Sequence, residues 1–285
     1  MSRIGVIGGS GLYEMEGIKA VKHIKVDTPF GRPSGELTVG VLKDREIVFL
    51  PRHGKGHTIS PGEINYRANI YAMKKLKVER IIAVAACGSL KEEIKPLDFV
   101  AVDQFVDRTN SGRKMSFFEG GIVAHVMFAQ PVCGHLHKAL CLAGSAAGIK
   151  MHEKGTYLNM EGPAFSTFAE SSLYRSWGMD VIGMTNMAEA RLAREAEICY
   201  ASLAAVTDYD CWHKDYVNVS VEMVIANLHK NVENAKRIIF SAIESLPEKL
   251  ECSCGQALKN AICTDREAIT PAVRKRISLL AGKYL

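Results

Sequence analysis

The run Ile198-Cys199-Tyr200-Ala201-Ser202-Leu203-Ala204-Ala205-Val206 carries no charged side chain. A stretch this short and apolar suits a strand covered on both faces, which implies a sheet with helices packed on either side. It runs into Thr207-Asp208-Tyr209-Asp210, where two carboxylates stand two positions apart. In open α/β sheets, ligands bind beyond the carboxyl ends of the strands, so Asp208 and Asp210 fall where a ligand would sit. A carboxylate accepts hydrogen bonds and a protonated carboxyl also donates one. Together they could read a nucleobase edge that carries both a donor amine and an acceptor nitrogen. The segment alone fits equally well a polar turn in which Asp208 caps a helix.

Other strands end in similarly suggestive residues. Ile4–Ile7 leads into Gly8-Gly9-Ser10-Gly11, where glycines let backbone amides crowd onto an anion and Ser10 adds a hydroxyl. The spacing is not Gly-x-Gly-x-x-Gly, which argues against a dinucleotide. Glu46–Leu50 enters Pro51-Arg52-His53-Gly54, a candidate anion clamp or a solvated turn. Residues 81–86 form another apolar strand, with small residues at Ala85, Ala86 and Gly88. Asp180–Met184 is a strand closed by Thr185-Asn186, with Asn186 and Glu189 as a capping pair and Thr185 at the positive end of a helix over 187–197.

Helices are expected over 61–76, opened by a Ser60/Glu63 capping box with Pro61 at its first position, and over 134–148, 167–177 and 220–246. The last shows a strong apolar stripe, and Val221, Val224 and Ile225 offer an apolar pocket near its start. Residues 107–121 read as a long surface loop, and His125, in an apolar stretch, as a buried histidine. Strands alternating with helices imply an α/β fold: a single domain with a central mixed, largely twisted β-sheet flanked by helices. Residues 1–247 form that domain. Residues 248–285 are a C-terminal tail, packed on a neighbouring subunit or loosely held.

The net charge of +5 is dispersed, which excludes a nucleic-acid arm but suits a small anionic ligand. No apolar run is long enough for a membrane span, and the N-terminus reads as a first strand rather than a signal peptide, so a cytoplasmic location is expected. The eight cysteines are scattered and are expected as reduced core thiols. Cys252-Ser253-Cys254 lacks a second pair at zinc spacing, so no metal site is expected.

Six ordered motifs together resemble the trimeric purine nucleoside phosphorylase family, and within it the 5'-methylthioadenosine phosphorylases. They are Gly8–Leu12, Arg52-His53-Gly54, Ala86–Leu90, Asp103–Thr109, Glu161-Gly162-Pro163 and Thr207–Trp212. The resemblance implies reversible phosphorolysis of 5'-methylthioadenosine to adenine and 5-methylthioribose 1-phosphate, with inorganic phosphate as co-substrate and no cofactor. It implies phosphate contacts from Ser10, Arg52, His53, Ala85, Ala86 and Thr185. Met184 would lie against the ribose, and Asp208 and Asp210 on adenine. Ser166 would take part in base selection, Val221 would line the 5' pocket, and His125 would reach into a neighbouring subunit of a trimer or dimer of trimers. Ala85 stands where the family commonly has threonine, and Ala164 where it often has arginine. The rival readings are a phosphorylase for inosine, guanosine or methylthioinosine, and a binding module without turnover.

Overall fold

The computed structural model describes residues 3–9, 11–12, 15–213, 221–249 and 251–285, and leaves out the side chains of 221 and 223. In chain order the elements begin with β1 (Arg3–Gly8), β2 (Lys19–Ile24), β3 (Leu37–Leu42), β4 (Arg45–Pro51), α1 (Tyr66–Lys75) and β5 (Val78–Ser89). Next come β6 (Phe99–Val102), β7 (Gln104–Arg108), α2 (Gly134–Ala146), β8 (Met151–His152), β9 (Thr156–Met160) and α3 (Phe168–Ser176). The chain then forms β10 (Val181–Gly183), α4 (Asn186–Glu195), β11 (Cys199–Asp208), α5 (Val221–Ser245) and α6 (Pro271–Ala281).

The strands form one mixed sheet, as the pattern predicts, and β5 is its hub. Its first half pairs with β1 in parallel, its length pairs with β11 in parallel, and its last residues pair with β10 antiparallel. β11 is buried at every position, because helices cover both of its faces. Tyr200 packs in the layer that holds α1, α4 and α6. Cys199, Ala201, Leu203 and Ala205 point into the layer that holds α2 and α5. Each large apolar side chain buried this way contributes about 1.5–3 kcal/mol. Three strand ends, those of β4, β5 and β11, therefore meet along one edge of the sheet.

Several local expectations shift. Helix α1 opens at Tyr66, where the Asn65 side chain accepts from the Ala68 N–H, not at Pro61. Ser60 and Glu63 do bond each other, Oγ to Oε2 at 2.6 Å, but they close a turn. At α4 the cap is Thr185 rather than Asn186; Asn186 Nδ2 still donates to Glu189 Oε2 at 3.4 Å, but from inside the first turn. His125 is exposed rather than buried. Only Ala124 in its stretch joins a bridge, to Ile262.

The tail is not loosely held. Leu258, Ile269, Val273, Ile277 and Leu280 are buried in the core layer shared with Ile70 and Phe117, and Tyr284 Oη donates to Glu197 Oε1 at 2.6 Å. Four of the eight cysteines are not scattered: Cys133, Cys199, Cys252 and Cys254 bring their sulfurs within 4.8 Å of one another.

Candidate active site

A cavity of 320 Å³ opens at the edge where β4, β5 and β11 end. Arg52, His53, Ala85, Ala86, Met184, Thr185, Asp208 and Asp210 all line it. Ser10 lies outside the described residues. Val221 opens α5, but its side chain is also outside them.

At one end, Arg52 follows β4 and its N–H donates to Gly8 O at 2.9 Å, which draws the turn after β4 against the Gly8-Gly9 turn. Its guanidinium is not a free clamp. Nε and Nη2 donate to the two oxygens of Glu189 at 2.5 and 3.0 Å, and Nη1 donates to Val84 O at 2.7 Å. Burial opposes the charge, but the Glu189 carboxylate outweighs it and holds Arg52 protonated. Glu189 also accepts from Tyr200 Oη at 3.0 Å.

His53 Nδ1 lies 2.9 Å from Ile59 O. A carbonyl only accepts, so Nδ1 carries the proton and Nε2 keeps a lone pair. Burial, and then the Arg52 charge, lower the His53 pKa to about 4, which leaves a neutral ring stacked on His57 at 4.2 Å. Thr185 is 4 % exposed and makes no capping bond with its hydroxyl. It stands at the positive end of α4.

At the other end, Asp208 closes β11. Its Oδ2 accepts from Thr207 Oγ1 at 2.6 Å and its Oδ1 from the Asp210 N–H at 2.8 Å. The polar turn and the carboxylate pair are thus the same feature. Each carboxylate oxygen can accept a second hydrogen bond. Asp210 takes φ +53°, a left-handed conformation that aspartate tolerates better than most residues. It is buried and its Oδ2 has no hydrogen-bond partner. Burial pushes the Asp210 carboxyl above its usual range, the nearby Ser171 hydroxyl partly offsets this, and the Asp208 charge adds to the rise. Burial also raises Asp208. Gly88 on β5 faces the pair: a Cβ there would meet Asp208 Oδ1 at 2.9 Å and Asp210 Cβ at 3.3 Å.

Between the two ends the walls are apolar. Met184 packs over Gly162, where a Cβ would meet its sulfur at 2.4 Å. Val224, Leu228 and Val232 line the cavity from α5, one face at four-residue spacing. Ile225 turns away and is 47 % exposed.

Some participants carry no clear mark in the sequence. Arg113, in the expected surface loop, is nearly buried. It donates to Glu161 Oε1 at 2.9 Å and to the Met184 and Glu161 carbonyls, so it pins residues 109–121 under the cavity wall. No sequence pattern marks it. Glu189 could have been found as the carboxylate a buried arginine requires. Asn231 lines the cavity, donates to Val206 O at 2.8 Å and leaves Oδ1 without a partner. Ser166 and His125 are not on the lining. Ser166 sits close to Asp210, whereas His125 is exposed and its N–H donates to Ala261 O at 2.8 Å.

The family model described as "Phosphorylase superfamily" matches residues 3–244. An S-methyl-5'-thioadenosine phosphorylase of Geobacter sulfurreducens is 56 % identical over 282 residues, 99 % of each chain. One from Koribacter versatilis is 53 % identical over 99 % of this chain and 97 % of its own. Among solved structures, a methylthioadenosine phosphorylase from an antarctic soil metagenomic library superposes with a TM-score of 0.92 at 45 % identity, covering 98 % of both chains. A Schistosoma mansoni adenosine/methylthioadenosine phosphorylase mutant, in complex with methylthioadenosine, superposes with a TM-score of 0.84 at 36 % identity, covering 91 % of this chain and 96 % of its own.

Proposed function

This chain belongs to the phosphorylase superfamily, and on that footing we propose what its cavity does. The protein is an enzyme. It catalyses reversible phosphorolysis of 5'-methylthioadenosine, giving adenine and 5-methylthioribose 1-phosphate. The observation that carries the reading is the single cavity with a hydroxyl, a histidine and a helix terminus at one end and a buried carboxylate pair at the other. The relatives' shared name supports the substrate.

Phosphate is the co-substrate and no cofactor takes part. Thr185, His53, Ser10 and the backbone at Ala85 and Ala86 hold it. The lone pair of a neutral His53 Nε2 suits a phosphate hydroxyl. Arg52 contributes by shape and partial charge, since Glu189 already balances it. A phosphate oxygen bonds to the anomeric carbon as the bond from that carbon to N9 breaks. The electron pair goes to adenine, and Asp210 delivers its proton to N7. The raised Asp210 pKa and its unpartnered Oδ2 support that role. Asp208 accepts from the 6-amino group, with Ser166 nearby. Two acceptors would face each other with a 6-oxopurine, and such a mismatch discriminates by up to ~10⁴-fold. Met184 lies against the ribose, and Val221, Val224 and Leu228 take the methylthio group.

A homotrimer or dimer of trimers completes the site, with His125 reaching into a neighbour. Met127 at 87 % exposure, beside His125, and Phe165, 54 % exposed on the cavity lining, support an apolar contact there. Residues 1–247 are the phosphorylase unit, matching the family model to residue 244, and 248–285 are its C-terminal tail, packed into the same core layer. The location is cytoplasmic; no helix among the described residues is long and apolar enough to cross a membrane.

The test is phosphate-dependent release of adenine from 5'-methylthioadenosine, run beside adenosine, inosine and methylthioinosine. Fastest turnover of methylthioadenosine is expected. Preference for a 6-oxopurine would remove Asp208 from its role as the acceptor for the 6-amino group.

A further inference from the structure

Four cysteines far apart in sequence converge on the α2/α5 side of the sheet, and none lines the catalytic cavity. Cys133 is the cap residue of α2, Cys199 begins β11, and Cys252 and Cys254 follow α5 in the tail. Three are buried and Cys252 is partly so. We propose that these four sulfurs form a tetrathiolate site for one zinc ion, which fastens the tail to the body of the fold.

The size fits. Zinc–sulfur bonds of about 2.3 Å set the sulfurs of a tetrahedral site about 3.8 Å apart. All four sulfurs lie within 4.8 Å of one another, and Cys199 Sγ stands 3.3 Å from Cys252 Sγ, well beyond a sulfur–sulfur bond. The donor set fits as well, because four soft thiolates at tetrahedral spacing select zinc over the hard cations.

The surroundings fit an anion. Zinc with four thiolates carries a net charge of minus two. Arg80 is the register partner of Cys199 on β5 and shares its face of the sheet. It is 2 % exposed, donates through Nη2 to Glu248 O, and leaves Nη1 with no partner. A buried guanidinium with one open nitrogen needs a counter-charge, and the thiolate cluster supplies one. Cys133 makes no capping bond at the positive end of α2, where a thiolate is favoured. Loading is a proton exchange: four thiols bind one zinc ion and release four protons, with no change of oxidation state.

Reduced, full-length protein dialysed against zinc is expected to retain about one zinc per chain by mass spectrometry of the metal. Four of its eight cysteines should resist a thiol reagent until the metal is stripped. Cobalt in place of zinc should show thiolate-to-metal charge transfer. Cys252→Ser and Cys254→Ser should each abolish tight zinc binding while phosphorolysis persists, because neither residue touches the cavity. If these variants fail to fold, the cobalt spectrum of the unaltered protein decides. Reduced, active protein that takes up no zinc overturns the proposal, as does zinc that survives both substitutions. Recovery of the four sulfurs as two disulfides, with no zinc uptake after reduction, overturns it too.

Discussion

Arg52 and Glu189, 137 positions apart, meet through two side-chain hydrogen bonds of 2.5 and 3.0 Å, and neither side chain is more than 3 % exposed. The pair joins the end of β4 to the first turns of α4, so it fixes Thr185 and the Gly8-Gly9 turn relative to each other. Removing one member leaves the other charge buried and alone. Glu189→Ala is expected to cost about 3–5 kcal/mol in unfolding free energy, measured by urea denaturation. A loss below about 1 kcal/mol would mean that water reaches the guanidinium.

Asp210→Asn removes the proton that the leaving base needs. With the fold intact, kcat for methylthioadenosine should fall by ~10² or more. The reverse step, from adenine and the sugar phosphate, should fall by the same factor. An Asn variant with unchanged kcat would take Asp210 out of the proton transfer.

Gly88→Ala tests whether the carboxylate pair needs its position. The new methyl would meet Asp208 Oδ1 at 2.9 Å and must push the pair aside. Misplacement of about 1 Å costs up to about 10²-fold in rate, so kcat/KM for the nucleoside should fall on that scale while phosphate affinity holds. Equal loss of both would point to general unfolding.

The neutral state of His53 makes stability depend on pH. Its pKa is lowered from the ordinary histidine value of 6.5 to about 4, so the unfolded chain binds more protons between those values. The contribution is fully present above pH 6.5 and is lost as pH falls through 4. Glu195 runs the opposite way: burial raises it to about 7, against hydrogen bonds from Phe117 and Ser116, so its contribution is lost as pH rises through 7. Chemical denaturation from about pH 4 to about pH 8 should show His53→Gln with a shallower acid-side loss than the unaltered protein. Identical slopes would mean that His53 titrates normally.

Specificity at the 5' end should follow α5. Val224→Ser places a hydroxyl on the apolar wall and should shift the ratio of kcat/KM for methylthioadenosine over adenosine toward adenosine by about 10-fold or more. Ile225→Ser, on the side turned away from the cavity, should leave that ratio alone.

Local patterns carry the fold because burial imposes them locally. An uncharged run such as 198–206 must be covered on both sides, and the stripe on α5 must face a core, whatever lies elsewhere in the chain. The starts of α1 and α4 differ from expectation because capping partners are chosen in competition. Ser60 and Glu63 satisfy each other in a turn, and Glu189, although it still accepts from Asn186, is held chiefly by Arg52. His125 is exposed because an apolar stretch can also be a surface.

Strand length and periodicity are enough to say that Arg52-His53, Thr185 and the Asp208/Asp210 pair stand at strand ends, whereas Ala85-Ala86, expected at the end of a strand over 81–86, lie inside β5, which continues to Ser89. The partners of those side chains came from the folded arrangement alone. Glu189 neutralises Arg52, Arg113 comes in from a loop to hold Met184, and Cys133 and Cys199 join a Cys-Ser-Cys segment that looks isolated in the chain. Strand periodicity depends on near neighbours, whereas charge pairing and sulfur convergence depend on which distant segments the sheet order brings together, and no spacing in the chain encodes that order.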